Sequence, residues 1–152
     1  MSRESRHHGK RTWLRWGLGA AVGAFFVFSA AAKLADFDGF LEKAAYYRAV
    51  PYVWMVRSAW LTIALEGVVG AALIAGRWRR LAIAAAAGML LVFTALVAHA
   101  WHAYGITDCG CLGSLAETPP WFGITKNVVM VSLLALAWPW RRRPAVAQPA
   151  LS

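Results

Sequence analysis

The apolar residues of this chain gather into four long blocks, about residues 13–35, 58–76, 81–103 and 122–140. About 20 mostly apolar residues in a helix cross a hydrocarbon core of about 30 Å, so each block predicts a membrane span. The first block holds Arg15 and Lys33 near its ends, the second a single charge at Glu66, and the third only His99 and His102 as titratable groups. The fourth is the weakest: its clean apolar part is 128–140, which places Lys126 and Asn127 near the interface. Trp13, Trp16, Trp60, Trp78, Trp101, Trp121, Trp138 and Trp140 all fall near block ends, the aromatic-belt pattern of a membrane interface. The predicted fold class is an all-α integral membrane four-helix bundle over 13–140. A basic tail, 1–12, precedes it and a disordered Ala- and Pro-rich tail, 141–152, follows it.

Composition narrows the class further. Of the 152 residues 60% are hydrophobic and only 15% charged, against about a quarter charged in a soluble domain. So apolar a chain is not disordered, and two cysteines do not make a disulfide-rich module. The net charge of +9 is a matter of topology. Four spans put both termini on one side, and eleven of the 16 basic residues cluster on that side. They are Arg3, Arg6, Lys10, Arg11 and Arg15, then Arg77, Arg79 and Arg80, then Arg141, Arg142 and Arg143. That side, with both termini, is therefore the cytoplasmic face of the cell's inner membrane. The clusters suit contact with anionic lipids, and no nucleic-acid partner is needed to explain them. Lys33, Lys43, Arg48, Arg57 and Lys126 lie at the outer loops, mixed with acids. A second reading of the N-terminus is a cleavable signal peptide ending at Ala30-Ala31-Ala32; the apolar block is long for one.

The outer loops hold the candidate chemistry. In 36–57, Phe37, Phe40, Leu41, Ala44, Ala45 and Tyr47 recur at near-helical spacing, which predicts a short interfacial helix ended near Pro51. The loop 104–125 contains Asp108-Cys109-Gly110-Cys111-Leu112-Gly113, with both cysteines of the chain. One reading is a redox disulfide on the oxidising face. Bridging residues two apart demands a backbone bent back on itself, which Gly110 permits. Such a bridge closes too small a loop to staple the fold well and is labile, which suits electron transfer. A second reading is a zinc or copper site made by Cys109 and Cys111 with His99 and His102, at a spacing outside the standard zinc patterns. A third is two small thiols in a tight turn.

Polar residues within the spans add to this. Glu66 lies about 12 Å along its helix from the outer end, and an intramembrane carboxylate is a functional candidate by default. It is equally readable as a structural partner of Lys33. Lys33 can snorkel to the interface or pair locally with Asp36 at i+3. By depth alone, Lys33, Glu66 and His99 fall in the outer half of the bundle and can line one cavity under the Cys109–Cys111 loop. His102 lies closer to water.

These residues carry a resemblance. Lys33-Leu34-x-Asp36, Phe40, Pro51 and Glu66 resemble the MauE/DoxX family of membrane proteins. The Asp108-to-Gly113 segment followed by Asn127 is similar to its MauE branch. Leu112 stands where the family pattern has Phe, and Lys126 where it has Arg. The resemblance covers about 13–140. It implies a four-helix protein of thiol–disulfide traffic that acts with a periplasmic thioredoxin-like partner in the maturation of methylamine dehydrogenase. DoxX-like relatives imply membrane oxidoreductase complexes, and analogy with four-helix disulfide-forming enzymes implies a quinone as final acceptor.

The expected function is thus membrane thiol–disulfide oxidoreduction by Cys109 and Cys111. Asp108 disfavours a thiolate at Cys109, which leaves Cys111 as the attacking thiol. A protonated His99 or His102 would raise thiolate content, and Glu66 or His99 would take protons from a reduced quinone. The rival expectation is a non-catalytic assembly or metal-binding subunit of an oxidoreductase complex. There is no phosphate-binding Gly-rich loop and no nucleophile elbow.

Overall fold

A computed structural model of the chain describes residues 3–46, 51–109 and 117–139. Five helices and no strands occur among the described residues: α1 (Arg3–Ala35), α2 (Phe37–Tyr46), α3 (Tyr52–Ala75), α4 (Arg79–Tyr104) and α5 (Pro120–Ala137). The stretches Trp13–Ala35, Val53–Ala75, Arg79–Tyr104 and Pro120–Ala137 are each long and apolar enough to cross a membrane. The four-span, all-helical expectation therefore holds. α2 lies where the apolar spacing predicts a helix. The tail 141–152 lies outside the described residues.

Several helix ends differ from those the hydrophobic pattern predicts. α1 begins at Arg3 rather than at residue 13. α3 begins directly after Pro51, six residues before the predicted 58, because Arg57 does not end the span. Its guanidinium lies 5.1 Å from the centre of the Trp54 ring, an apolar face that attracts a cation. α5 spans Pro120–Ala137 instead of 122–140. Pro120 suits a first helical position, where no N–H is needed. Pro139 forces Trp138 into an extended backbone (φ −56°, ψ 131°), which ends the helix. The exposed carbonyls there are capped from α4: the Arg79 guanidinium donates to Ala137 O (3.1 Å) and that of Arg80 to Pro139 O (3.4 Å). The basic turn is thus a cap as well as a charge cluster.

The four long helices form a closed ring of neighbours. α1 packs on α3 and α5, and α4 packs on the same two; α2 lies mainly against α3. The α1–α3 contact is backbone to backbone. A Cβ on Gly23 would lie 2.7 Å from Gly70 O, and a Cβ on Gly70 2.8 Å from Gly23 O. Helices in lipid gain nothing from hiding apolar surface, so they associate through such close approach of small residues. Outside, large apolar side chains cover the bundle: Leu61, Val68, Leu91, Val92, Val128 and Leu136 are all exposed.

The interior has two halves. Toward the α3–α4 turn it is a continuous apolar core of Val22, Phe26, Val69, Leu73, Ile83, Ala86, Leu90, Met130 and Leu134. At the other end the buried side chains include Ser29, Lys33, Glu66 and Asn127. The close crossing yields a prediction. Gly23→Ala and Gly70→Ala each force a backbone shift and cost about 1–3 kcal/mol, the usual toll of overpacking. Gly88→Ala, in open space, costs nothing. Thermal melting of the three variants in detergent checks the contrast, and equal melting temperatures would refute it.

Candidate functional site

A cavity of about 230 Å³ opens in the polar half, bordered by all four long helices, α2 and Cys109. At its centre Lys33 Nζ lies 2.5 Å from Glu66 Oε1 and donates a second hydrogen bond to Ser29 Oγ (3.1 Å). Both residues are only 4% exposed. The Phe40 and Phe93 rings flank the ammonium at 5.4 and 5.6 Å.

Helix geometry explains the pairing. Side chains lean toward the N-terminus of their own helix. In the antiparallel pair α1–α3, Lys33 and Glu66 therefore lean toward each other. From the Gly23–Gly70 contact, the residue of α1 level with Glu66 is about 27. Lys33 lies about 9 Å farther along, a gap the two long arms close together. Lys33 accordingly runs into the bundle rather than snorkelling outward. Asp36 instead caps α2: its Oδ1 accepts the Gly39 N–H (3.1 Å), the bond an N-cap makes to the third helical residue. A Cβ at Gly39 would collide with that carboxylate.

Two polar groups at the cavity have no hydrogen-bonding or ionic partner among the described residues. Glu66 Oε2 is buried and accepts no hydrogen bond from them. Lys126, half-buried on α5, holds its ammonium 4.8 Å from the centre of the Phe25 ring, with no carboxylate within 4 Å among the described residues. Its neighbour Asn127 is buried and ties α5 to α4: Nδ2 donates to Thr94 Oγ1 (3.1 Å), which donates to Leu90 O (2.7 Å).

The cysteine loop is clamped where it enters and leaves. Cys109 N–H donates to Thr118 O (2.8 Å), Thr118 N–H donates to Asp108 Oδ1 (3.0 Å), and the Thr118 hydroxyl lies 3.1 Å from Cys109 Sγ. Lys43 of α2 pairs with Asp108 Oδ2. Cys109 is 4% exposed, and no cysteine among the described residues is a free thiol. Gly110 and Cys111 lie outside the described residues.

The expected site is therefore assembled in part. Lys33, Glu66, Asn127 and Cys109 meet at one cavity, with Asp108 fixed beside it. His99 does not join them: it and His102 lie on exposed positions of α4, and His99 packs edge-on against Tyr104. The helix turns His99 away from the cavity. No three His, Cys, Asp or Glu side chains are grouped to hold a metal among the described residues. Lys43, Thr118, Lys126, Phe25 and Phe93 join the site only through the fold. Lys43 had a signal, one turn from Phe40 on α2. Thr118 had none, since its role comes from the loop closing on itself.

A family model described as "Methylamine utilisation protein MauE" matches residues 11–140. This chain belongs to the MauE family. The matched stretch takes in all four apolar helices and every residue of the cavity, so the MauE chain is a multi-pass membrane protein of a methylamine-utilisation family. No curated protein and no solved structure matches it.

In this MauE-family protein the cavity can hold an apolar molecule with a polar head, because its aromatic walls meet Lys126, which has no carboxylate within 4 Å among the described residues, beside Glu66. The ion pair sets a prediction. Lys33→Met leaves a lone buried carboxylate and lowers stability by about 3–5 kcal/mol, whereas adding Glu66→Leu restores most of the loss. Thermal melting in detergent reads both. A double variant no better than the single one would show that the pair does not act as a unit.

Proposed function

We propose that this MauE-family protein is a membrane thiol–disulfide redox protein. Its Cys109–Cys111 pair exchanges electrons between a periplasmic thioredoxin-like protein and the membrane, where a quinone is the counterpart. The exchange supports disulfide formation in a periplasmic client such as methylamine dehydrogenase. The observation that carries the reading is the position of Cys109. It is not a free thiol, its loop is clamped by Thr118 and the Lys43–Asp108 pair, and it borders a cavity inside the bundle. The basic clusters support a topology with this loop outside and both termini in the cytoplasm.

The chemistry balances as two exchanges. A partner thiolate attacks one sulfur of the Cys109–Cys111 bridge. That S–S bond breaks, a mixed disulfide forms, and the other cysteine leaves as thiolate. The partner's second thiolate then displaces the first cysteine. The partner ends as a disulfide, Cys109 and Cys111 as a dithiol, and two electrons have moved. In the reverse direction the same steps reduce the partner. Lys43, close to the loop through Asp108, offsets the negative charge that Asp108 would otherwise set against a thiolate.

Cys109→Ser and Cys111→Ser each abolish exchange while the protein still accumulates in the membrane. A single-cysteine variant traps the partner as a mixed disulfide, resolved by reducing gel electrophoresis and mass spectrometry. Full exchange in both variants would end this reading. Recovery of a stoichiometric metal, with no thiols released on mild reduction, would replace it with a metal-holding assembly subunit. Reporter fusions after residues 106 and 140 report opposite sides of the membrane, with the loop outside.

A further inference from the structure

We infer that the cavity beneath Cys109 binds the ring of a membrane-soluble quinone, with Lys126 at one ring oxygen and Glu66 Oε2 at the other. The inference rests on the thiol–disulfide reading and names the site and residues that would receive its electrons.

Four features converge on this ligand. Lys126 is a cation in the cavity wall whose only close partner among the described residues is the Phe25 ring. Glu66 is 4% exposed, and its buried Oε2 has no hydrogen-bond partner among the described residues. The walls are otherwise largely apolar and aromatic, with Phe25, Phe40 and Phe93 among them. The volume, about 230 Å³, lies below the about 300–1,000 Å³ of pockets for drug-sized molecules. A single ring suits it, and a fused polycyclic cofactor does not. The ligand must therefore be apolar, offer an acceptor to an ammonium and be able to offer a donor to a carboxylate. A fatty acid carboxylate offers only acceptors. A quinone offers a carbonyl acceptor to Lys126 when oxidised; once reduced, one of its oxygens still accepts from Lys126 while the opposite hydroxyl donates to Glu66, so the quinol satisfies both groups.

The step balances. The thiols of Cys109 and Cys111 lose two electrons and two protons and become joined by an S–S bond; the quinone gains both electrons and both protons and leaves as quinol. Lys126 donates a hydrogen bond to the carbonyl oxygen on which negative charge builds, a charge-assisted contact that strengthens as reduction proceeds. Glu66 Oε2 accepts a hydrogen bond from the opposite hydroxyl of the quinol. Lys33 holds Glu66 in place through Oε1 and so keeps Oε2 directed at the ring.

The test uses the full-length protein in lipid nanodiscs and a short-chain benzoquinone, with binding measured by equilibrium dialysis. Wild type binds one quinone. Lys126→Gln weakens binding at least about tenfold, the loss expected for a hydrogen bond from a charged group. Glu66→Gln weakens quinol binding more than quinone binding. Arg57→Gln, on the outer surface, changes neither. Binding is read with no thiol partner present, so a failure of the thiol reading leaves this result standing. Absence of quinone binding to wild type, unchanged binding by Lys126→Gln, or displacement of bound quinone by equimolar oleate would each overturn the assignment.

Discussion

A lysine and a carboxylate sealed together between two helices govern the arrangement of this bundle. Either charge alone inside a bilayer would cost several kcal/mol. Paired at 2.5 Å and backed by Ser29, the two cancel most of that cost. The pair forms because the Gly23–Gly70 crossing brings the α1 and α3 backbones into contact, and because side chains on antiparallel helices lean toward one another along the shared seam. A bulkier residue at the crossing would pull the arms apart and leave two unpaired charges.

The pair also divides the interior. On one side of it lies a dry core of small and branched residues, where α4 and α5 pack tightly around Ala86 and Leu134. On the other side the polar demands of Glu66, Asn127 and Lys126 prevent such filling, and a cavity remains. Close packing at one end and an unfilled space at the other follow from the same distribution of residue types. An apolar interior closes up to high density, while one with open polar valences stays open to a ligand that satisfies them.

The cysteine loop is joined to this frame at two levels. Thr118 closes the loop on itself through its backbone and its hydroxyl. Lys43 then fastens the closed loop to α2 through Asp108, and α2 is in turn capped by Asp36 at the end of α1. A chain of polar contacts thus runs from α1 to the residue next to Cys109, parallel to the buried Lys33–Glu66 pair. Cys109, the cavity and the ion pair sit within one polar end of the bundle interior, and the proposed electron exchange rests on that arrangement.

The sequence by itself determined the class: four apolar blocks of about 20 residues with aromatic ends become membrane helices, because a single segment of that length satisfies its own backbone in lipid only as a helix. It also marked Glu66 and Lys33, since polar residues in such blocks are too costly to be casual; Asn127 stood out only through the family resemblance, and Cys109 through its Cys-Gly-Cys setting. Depth along each helix could be read from residue spacing. Facing could not, because all sides of these helices are apolar, and an apolar exterior removes the polar stripe that orients a soluble helix. That is why His99 read as a cavity residue and Lys126 as a mere interface lysine. Only the tertiary structure decided which way each helix turns. It chose Glu66 over Asp36 as the partner of Lys33, brought Thr118 back to Cys109 across the loop, and set Lys126 and Glu66 in the wall of one cavity. Those outcomes depend on contacts between residues far apart in the chain, which no local pattern encodes.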